Sequence, residues 1–217
     1  MSDQGAVCLS PSDKECAPVT SKRMAKEQRR RQLLETALAI VRDEGTEALT
    51  LARVAERAGV TKPIAYEHFG TRAGLLVALF RDYDDRTTEA VRAALKAGGR
   101  TPQDVASILS NAYIDCCLSM GPEMRAIFDA LSASEETEVF LQSWREFLVS
   151  EFSAAFAPFV TMPQEESNII FVGILGAAEA LAETAAAKRI SRAAAVEALW
   201  RIMIGGLGKN CTGTSIA

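Results

Sequence analysis

The sequence has little with which to carry out covalent chemistry. It contains a single histidine, His68, and its five cysteines (Cys8, Cys16, Cys116, Cys117 and Cys211) include no C-x-x-C pair. A metal site built on Cys and His therefore lacks candidate ligands. An odd cysteine count in a chain of this length and composition does not suit a disulfide scaffold either. The adjacent Cys116 and Cys117 read as helix-interior residues that pack as small apolar side chains, with redox sensing as the alternative. No Gly-rich phosphate loop and no nucleophile elbow occurs. Glu135, Glu136 and Glu138, though close together, read as a solvated helix start. Neither an enzyme nor a bound cofactor or metal is expected. No apolar run approaches the ~20 residues of a membrane span, and residues 1–20 lack an apolar stretch flanked by basic residues, as a secretory signal would have. The expectation is a cytoplasmic protein with no membrane partner. Also missing are the alternating pattern of β-strands and any repeat with a period of roughly 20–50 residues.

What remains is helical pattern. With 48% hydrophobic and 24% charged residues among 217, the chain can bury a substantial core. Residues 1–24 read as a flexible tail running into a basic cluster of Lys22, Arg23, Lys26, Arg29, Arg30 and Arg31. The spacing of Leu34, Ala37, Leu38 and Val41 predicts a helix from Lys26 to Glu44, ended by Gly45. Thr50 caps a short helix from Leu51 to Ala58. After Gly59, Thr61 caps another to Phe69, with Pro63 in its first turn. A longer helix runs from Thr71 to Leu95, and Gly98, Gly99 and Pro102 mark a link. Helical spacing then returns around Val105–Tyr113, after Pro122, across Phe140–Phe156, over Ile169–Lys188 and over Ser191–Gly205. The fold class is all-α.

Charge is distributed unevenly. Between Lys22 and Arg81 there are twelve Lys and Arg against seven Asp and Glu, an excess of five positive charges, and the net charge of −4 leaves nine negative charges in excess elsewhere. A basic head on an acidic body suits nucleic-acid binding by the head. The stretch Leu49–Leu76, LTLARVAERAGVTKPIAYEHFGTRAGLL, sets two short helices on either side of a tight Gly-containing turn, the helix-turn-helix arrangement. The second helix is too short and too polar to serve packing alone. Lys62 is suited to donate to guanine, and Pro63 and Ile64 to pack on a thymine methyl. Tyr66 and His68 are suited to phosphate oxygens.

AGVTKPIAYEHFGTRAGLL resembles the signature of the TetR (tetracycline-repressor-like) family. Gly59, Val60, Thr61, Tyr66, His68, Phe69, Arg72 and Leu75 agree in kind and order, and the likeness spans roughly Leu33–Leu79. The resemblance implies a DNA-binding domain over residues 25–72 and a helical body for effector binding and dimerisation over 73–217. It implies phosphate contacts from Tyr66, His68, Arg72 and the start of the helix capped by Thr50, which includes Arg53. It sets Thr61, Lys62, Pro63 and Ile64 on the DNA side and turns Ala65 and Phe69 inward. The protein it describes is a ligand-responsive regulator, as a rule a repressor, that binds a palindromic double-stranded operator as a homodimer.

The resemblance also implies that the last two helices dimerise. Gly173, Gly176, Ala177, Ala178 and Ala180 would permit close approach, with Val196, Leu199, Trp200, Met203 and Ile204 on the following helix. Candidate lining for an effector pocket is Tyr113, Cys116, Cys117, Met120, Met124, Phe128, Trp144, Phe147 and Phe171. Met120, Met124 and a scarcity of charge point to a hydrophobic small molecule. The competing reading is a helical module that binds a protein rather than DNA, and the basic head with Tyr66, His68 and Arg72 separates the two.

Overall fold

The computed structural model describes residues 19–208, with side chains from Ala25 onward. The expected tail and the basic residues Lys22 and Arg23 lie outside the described side chains. Cys8, Cys16 and Cys211 lie outside the described residues. Among those described, helices run in the order α1 (Val19–Glu44), α2 (Leu51–Arg57), α3 (Lys62–Phe69), α4 (Arg72–Gly98), α5 (Pro102–Ser119), α6 (Pro122–Ser132), α7 (Glu138–Phe156), α8 (Gln164–Ala186) and α9 (Arg192–Leu207). A single 3-10 turn, Glu135–Thr137, precedes α7. No β-strand is present among these residues.

Local chemistry explains most boundaries. The hydroxyls of Thr50, Thr71, Thr101 and Ser191 accept from the backbone N–H three residues on, as N-caps do. Thr101 and Asp104 form a reciprocal capping box at 3.1 and 3.0 Å. Thr61 occupies the cap position of α3, but its hydroxyl makes no capping hydrogen bond. The α2–α3 turn depends on Gly59, whose φ of +68° lies where L side chains are strained.

Two apolar clusters organise the molecule. The first joins Leu33, Ala37 and Ile40 of α1 to Val54, Ala65, Phe69 and the start of α4, and is closed from the other side by Met124, Ile127 and Leu131 of α6. The second joins α5, α7, α8 and α9 around Leu109, Phe156, Phe171, Leu199 and Met203. α4 belongs to both: Leu75, Leu76 and Leu79 sit in the first cluster, while Val91 and Leu95 pack on the second.

One expectation is corrected here. By length and composition α8 is apolar enough to cross a membrane. The sequence hides this because Glu179 and Glu183 interrupt the apolar run. In the fold α8 packs against α5, α7 and α9 as part of the bundle.

Candidate nucleic-acid interface and effector cavity

α3 is placed by its inner side. Ala65 is wholly buried and Phe69 nearly so. The α2–α3 turn is held by Gly59 N–H donating to Glu56 O at 3.1 Å and Val60 N–H to Ala55 O at 2.9 Å. The other side of the helix is open. Thr61, Lys62 and Pro63 are exposed, and Tyr66 is 51% exposed, an unusual position for an aromatic ring. Lys62 and Tyr66 take part in no hydrogen bond or ion pair among the described residues. Glu67 meets Lys26 of α1 at 3.4 Å. Ile64 is corrected: it is half-buried and packs against the head core, so it lies between the two sides and not on the DNA side proper.

His68 is half-buried, its ring 5.9 Å from that of Phe69. Burial first, and then the Lys26 ammonium, lower its pKa below the ordinary histidine value. Near neutrality the uncharged form of its ring is therefore favoured. Arg30 stacks over the Phe69 ring at 5.4 Å, with one buried guanidinium nitrogen lacking a hydrogen-bond partner.

The arginines of the head divide by role. Arg53 is shared between Glu44, at 3.1 and 3.2 Å, and Glu56, at 3.1 Å. The Arg53 hydrogen bond is the main cause that holds the Glu44 carboxyl below its usual range. Arg57 pairs with Asp43 and Glu44. These are exposed pairs, cheap to break. Arg72, expected at a phosphate, is engaged within the chain. Its Nε donates to Leu49 O at 3.0 Å and one terminal nitrogen to Thr46 O at 2.7 Å. Its guanidinium fits two backbone carbonyls and ties the start of α4 to the α1–α2 connection.

The body encloses a cavity of about 560 Å³ between α4, α5, α6, α7 and α8. Six of the nine expected lining residues surround it: Tyr113, Cys116, Cys117, Met120, Phe128 and Trp144. Met124, Phe147 and Phe171 do not. Met124 is taken up by the head core, and Phe171 packs on Phe156 at 5.8 Å in the second cluster. Phe147 is half-buried on α7, off the cavity wall. Sequence reasoning missed the contribution of α4, which supplies Phe80, Tyr83, Asp84, Thr87, Thr88, Val91 and Leu95. Only the fold shows that one helix turns its first turns to the head and its middle to the cavity.

The cavity is also less hydrophobic than expected. Asp84, Asp129, Glu151, Glu179 and Glu183 line it together with Arg125 and Arg145. The rings of Phe80, Phe128 and Trp144 meet at 5.1 to 6.1 Å. The Tyr83 hydroxyl donates to Cys116 O at 3.4 Å. Burial raises the pKa of both Tyr83 and Tyr113. Burial likewise pushes the Cys117 thiol up to about 12, which favours the protonated thiol over the thiolate near neutrality.

Comparisons agree with this geometry. Residues 33–79 match the profile of bacterial regulatory proteins of the tetR family. The HTH-type transcriptional regulator BetI of Rhizobium meliloti is 36% identical over 81 residues, 37% of this chain and 39% of that protein. The HTH-type transcriptional activator FasR of Mycolicibacterium smegmatis is 36% identical over 74 residues, 34% of each. The likeness thus spans about two fifths or less of either relative's length. A TetR transcriptional regulator from Rhodococcus sp. RHA1 shares the fold over 84% of this chain and 98% of its own, with a TM-score of 0.63 at 20% identity. The head, residues 33–79, thus carries the sequence of the tetR-family regulatory proteins, and the chain shares the fold of a TetR transcriptional regulator.

Proposed function

We propose that this protein is a homodimeric, ligand-responsive transcription regulator, a repressor by the sign usual in its family, that binds a palindromic double-stranded operator in the cytoplasm and performs no catalysis. The observation that carries the reading is the outer side of α3. It offers Thr61, Lys62, Pro63 and Tyr66 unpartnered to solvent while Ala65 and Phe69 fix the helix from behind. A helix held in this way enters a major groove with its first residues at base edges. Lys62 and Pro63 would meet bases. Tyr66, His68 and the Thr50-capped start of α2 would meet phosphates, joined by Arg53 once it leaves its exposed pairs.

Dimerisation is supported by α8. Only 33% of its most apolar stretch is buried within the chain. Ile169 and Val172 are 68% and 60% exposed. A Cβ added at Gly173 or Gly176 would meet nothing within 4 Å, so no neighbour within the chain requires glycine there. A second copy of the helix would. A two-fold dimer of this kind sets the spacing of two heads on DNA.

Coupling runs through α4 and α6. The twelve residue steps from Arg72 to Asp84 span about 18 Å of helix, with the carbonyl-bound Arg72 at one end and the cavity wall at the other. α6 does the same at shorter range: Ile127 and Leu131 lie in the head core while Phe128 and Asp129 line the cavity, and Glu123 meets Arg42 of α1 at 2.7 Å. A ligand that prefers one setting of these helices shifts the spacing of the heads.

The test is a salt-titrated binding assay on duplex DNA flanking this protein's own gene, against a scrambled duplex, with Tyr66→Ala/His68→Ala as control. The expected result is specific binding that weakens steeply with salt and is lost in a variant that still dimerises. Absence of duplex binding at low salt would favour the protein-binding module instead.

A further inference from the structure

The charges around the cavity do not balance. Glu179 is paired with Arg145 at 2.9 Å, and Glu151 with Arg92 at 2.7 and 2.8 Å. Arg125 spends a terminal nitrogen on Cys117 O at 3.0 Å. Asp84, Asp129 and Glu183 have no basic partner among the described residues, so the lining keeps an acidic excess after its ion pairs are formed. Asp84 is the telling one. It lies at the middle of α4 and lines the cavity together with Phe80, Tyr83, Phe128 and Trp144. A carboxylate in such a place loses water and gains no counter-charge. The indole Nε1 of Trp144 is buried beside it, outside strict hydrogen-bond geometry, and as an uncharged N–H donor it opposes the rise in the Asp84 pKa that burial causes without supplying a counter-charge.

A carboxylate without a counter-charge, in a cavity also lined by aromatic side chains, is a receptor for a cation. The charge is met by the carboxylate, and the apolar substituents around it by ring faces. Building on the effector reading above, we propose that the molecule bound in this cavity is an organic cation with an apolar body, its charge set against Asp84. The two arginines do not reverse the selection: Arg145 is neutralised by Glu179, and Arg125, which keeps its charge, is outnumbered by Asp84, Asp129 and Glu183.

The full-length protein would be titrated by calorimetry with tetraphenylphosphonium and with tetraphenylborate, which share a shape and differ in the sign of the charge. The expected result is that the phosphonium binds at least about tenfold more tightly, that Asp84→Asn removes most of this preference, and that Asp84→Glu retains it. The contrast in the unsubstituted protein needs no variant and is independent of any folding defect. Equal or tighter binding of the borate, binding of neither ion, or a preference untouched in Asp84→Asn would overturn the proposal. Operator binding is measured on the same samples. A cation preference in a protein that binds no duplex would sink the regulator reading and leave this one standing. Operator binding without a cation preference would do the reverse.

Discussion

At the scale of single residues, the two polar side chains with most at stake, Arg72 and Asp84, lie on one helix and have opposite effects on stability. Arg72 is part of the scaffold. Its bonds to Leu49 O and Thr46 O are charge-assisted and half-buried, and replacing it with Ala leaves two carbonyls without their donor. Arg72→Ala should cost about 1–3 kcal/mol in urea unfolding. Lys62→Ala, in contrast, should leave unfolding within about 0.5 kcal/mol while weakening operator binding. Equal stability losses in both variants would contradict this division. Asp84 acts in the opposite direction. Burial raises its pKa, so the folded protein holds that proton more tightly than the unfolded chain does. Stability is then unpenalised at a pH below the ordinary carboxyl range and falls as pH rises through the interval between the unfolded and folded pKa values. Asp84→Asn should therefore unfold at a higher temperature than the unsubstituted protein near pH 7, and the difference should close as pH drops below the ordinary aspartate range. A variant less stable at neutral pH would mean that the carboxylate has a partner and is not waiting for one.

At the scale of elements, α3 is a helix of eight residues that does not stand alone, and two glycines fix where it lies. Gly59 permits the turn before it. Gly74 permits the turn after it, because a Cβ there would lie 2.1 Å from Phe69 O. Gly59→Ala should cost about 1 kcal/mol through its positive φ alone. Gly74→Ala should cost about 1–3 kcal/mol as an overpacking change against backbone, which cannot swing away, and should displace α3 enough to weaken operator binding at concentrations where the protein stays folded. If both variants are neutral in unfolding and binding, the α3 position is not set by these turns. Elements of this kind are what a sequence shows well. Caps, glycines and a 3.6-residue period are local, and the helices could be read from them; the inward side of α3 followed from the resemblance of its motif. What could not be read is where long helices meet. The cavity wall on α4, the burial of Met124 in the head and the pairing of Glu151 with Arg92 depend on contacts between residues far apart in the chain. The motif also gave Arg72 a phosphate, because a basic residue at a helix start looks the same whether it faces DNA or a carbonyl.

At the scale of the whole molecule, every argument about DNA depends on there being two heads. A single α3 with a few exposed donors gives a weak, half-site interaction. Affinity for a palindrome comes from tethering two such helices at a fixed distance, which gives the second contact a high local concentration. In the proposed dimer the tether is supplied by the outer stripe of α8, where Ile169, Val172, Gly173 and Gly176 are exposed side by side. In a two-fold interface each substitution acts twice, and a charge placed there faces either apolar surface or its own copy. Val172→Glu/Gly176→Glu should therefore sediment as a monomer at concentrations where the unsubstituted protein is a dimer. It should keep its helical content and its affinity for the cavity ligand, because neither position lines the cavity. Its operator affinity should fall about 100-fold or more, leaving only binding to one half-site. Two results would place the dimer elsewhere: a variant that remains dimeric, or one that becomes monomeric without loss of operator affinity. The second would also remove the reason for a ligand to act through the spacing of the heads, since a protein that binds DNA equally well with one head has no spacing to regulate.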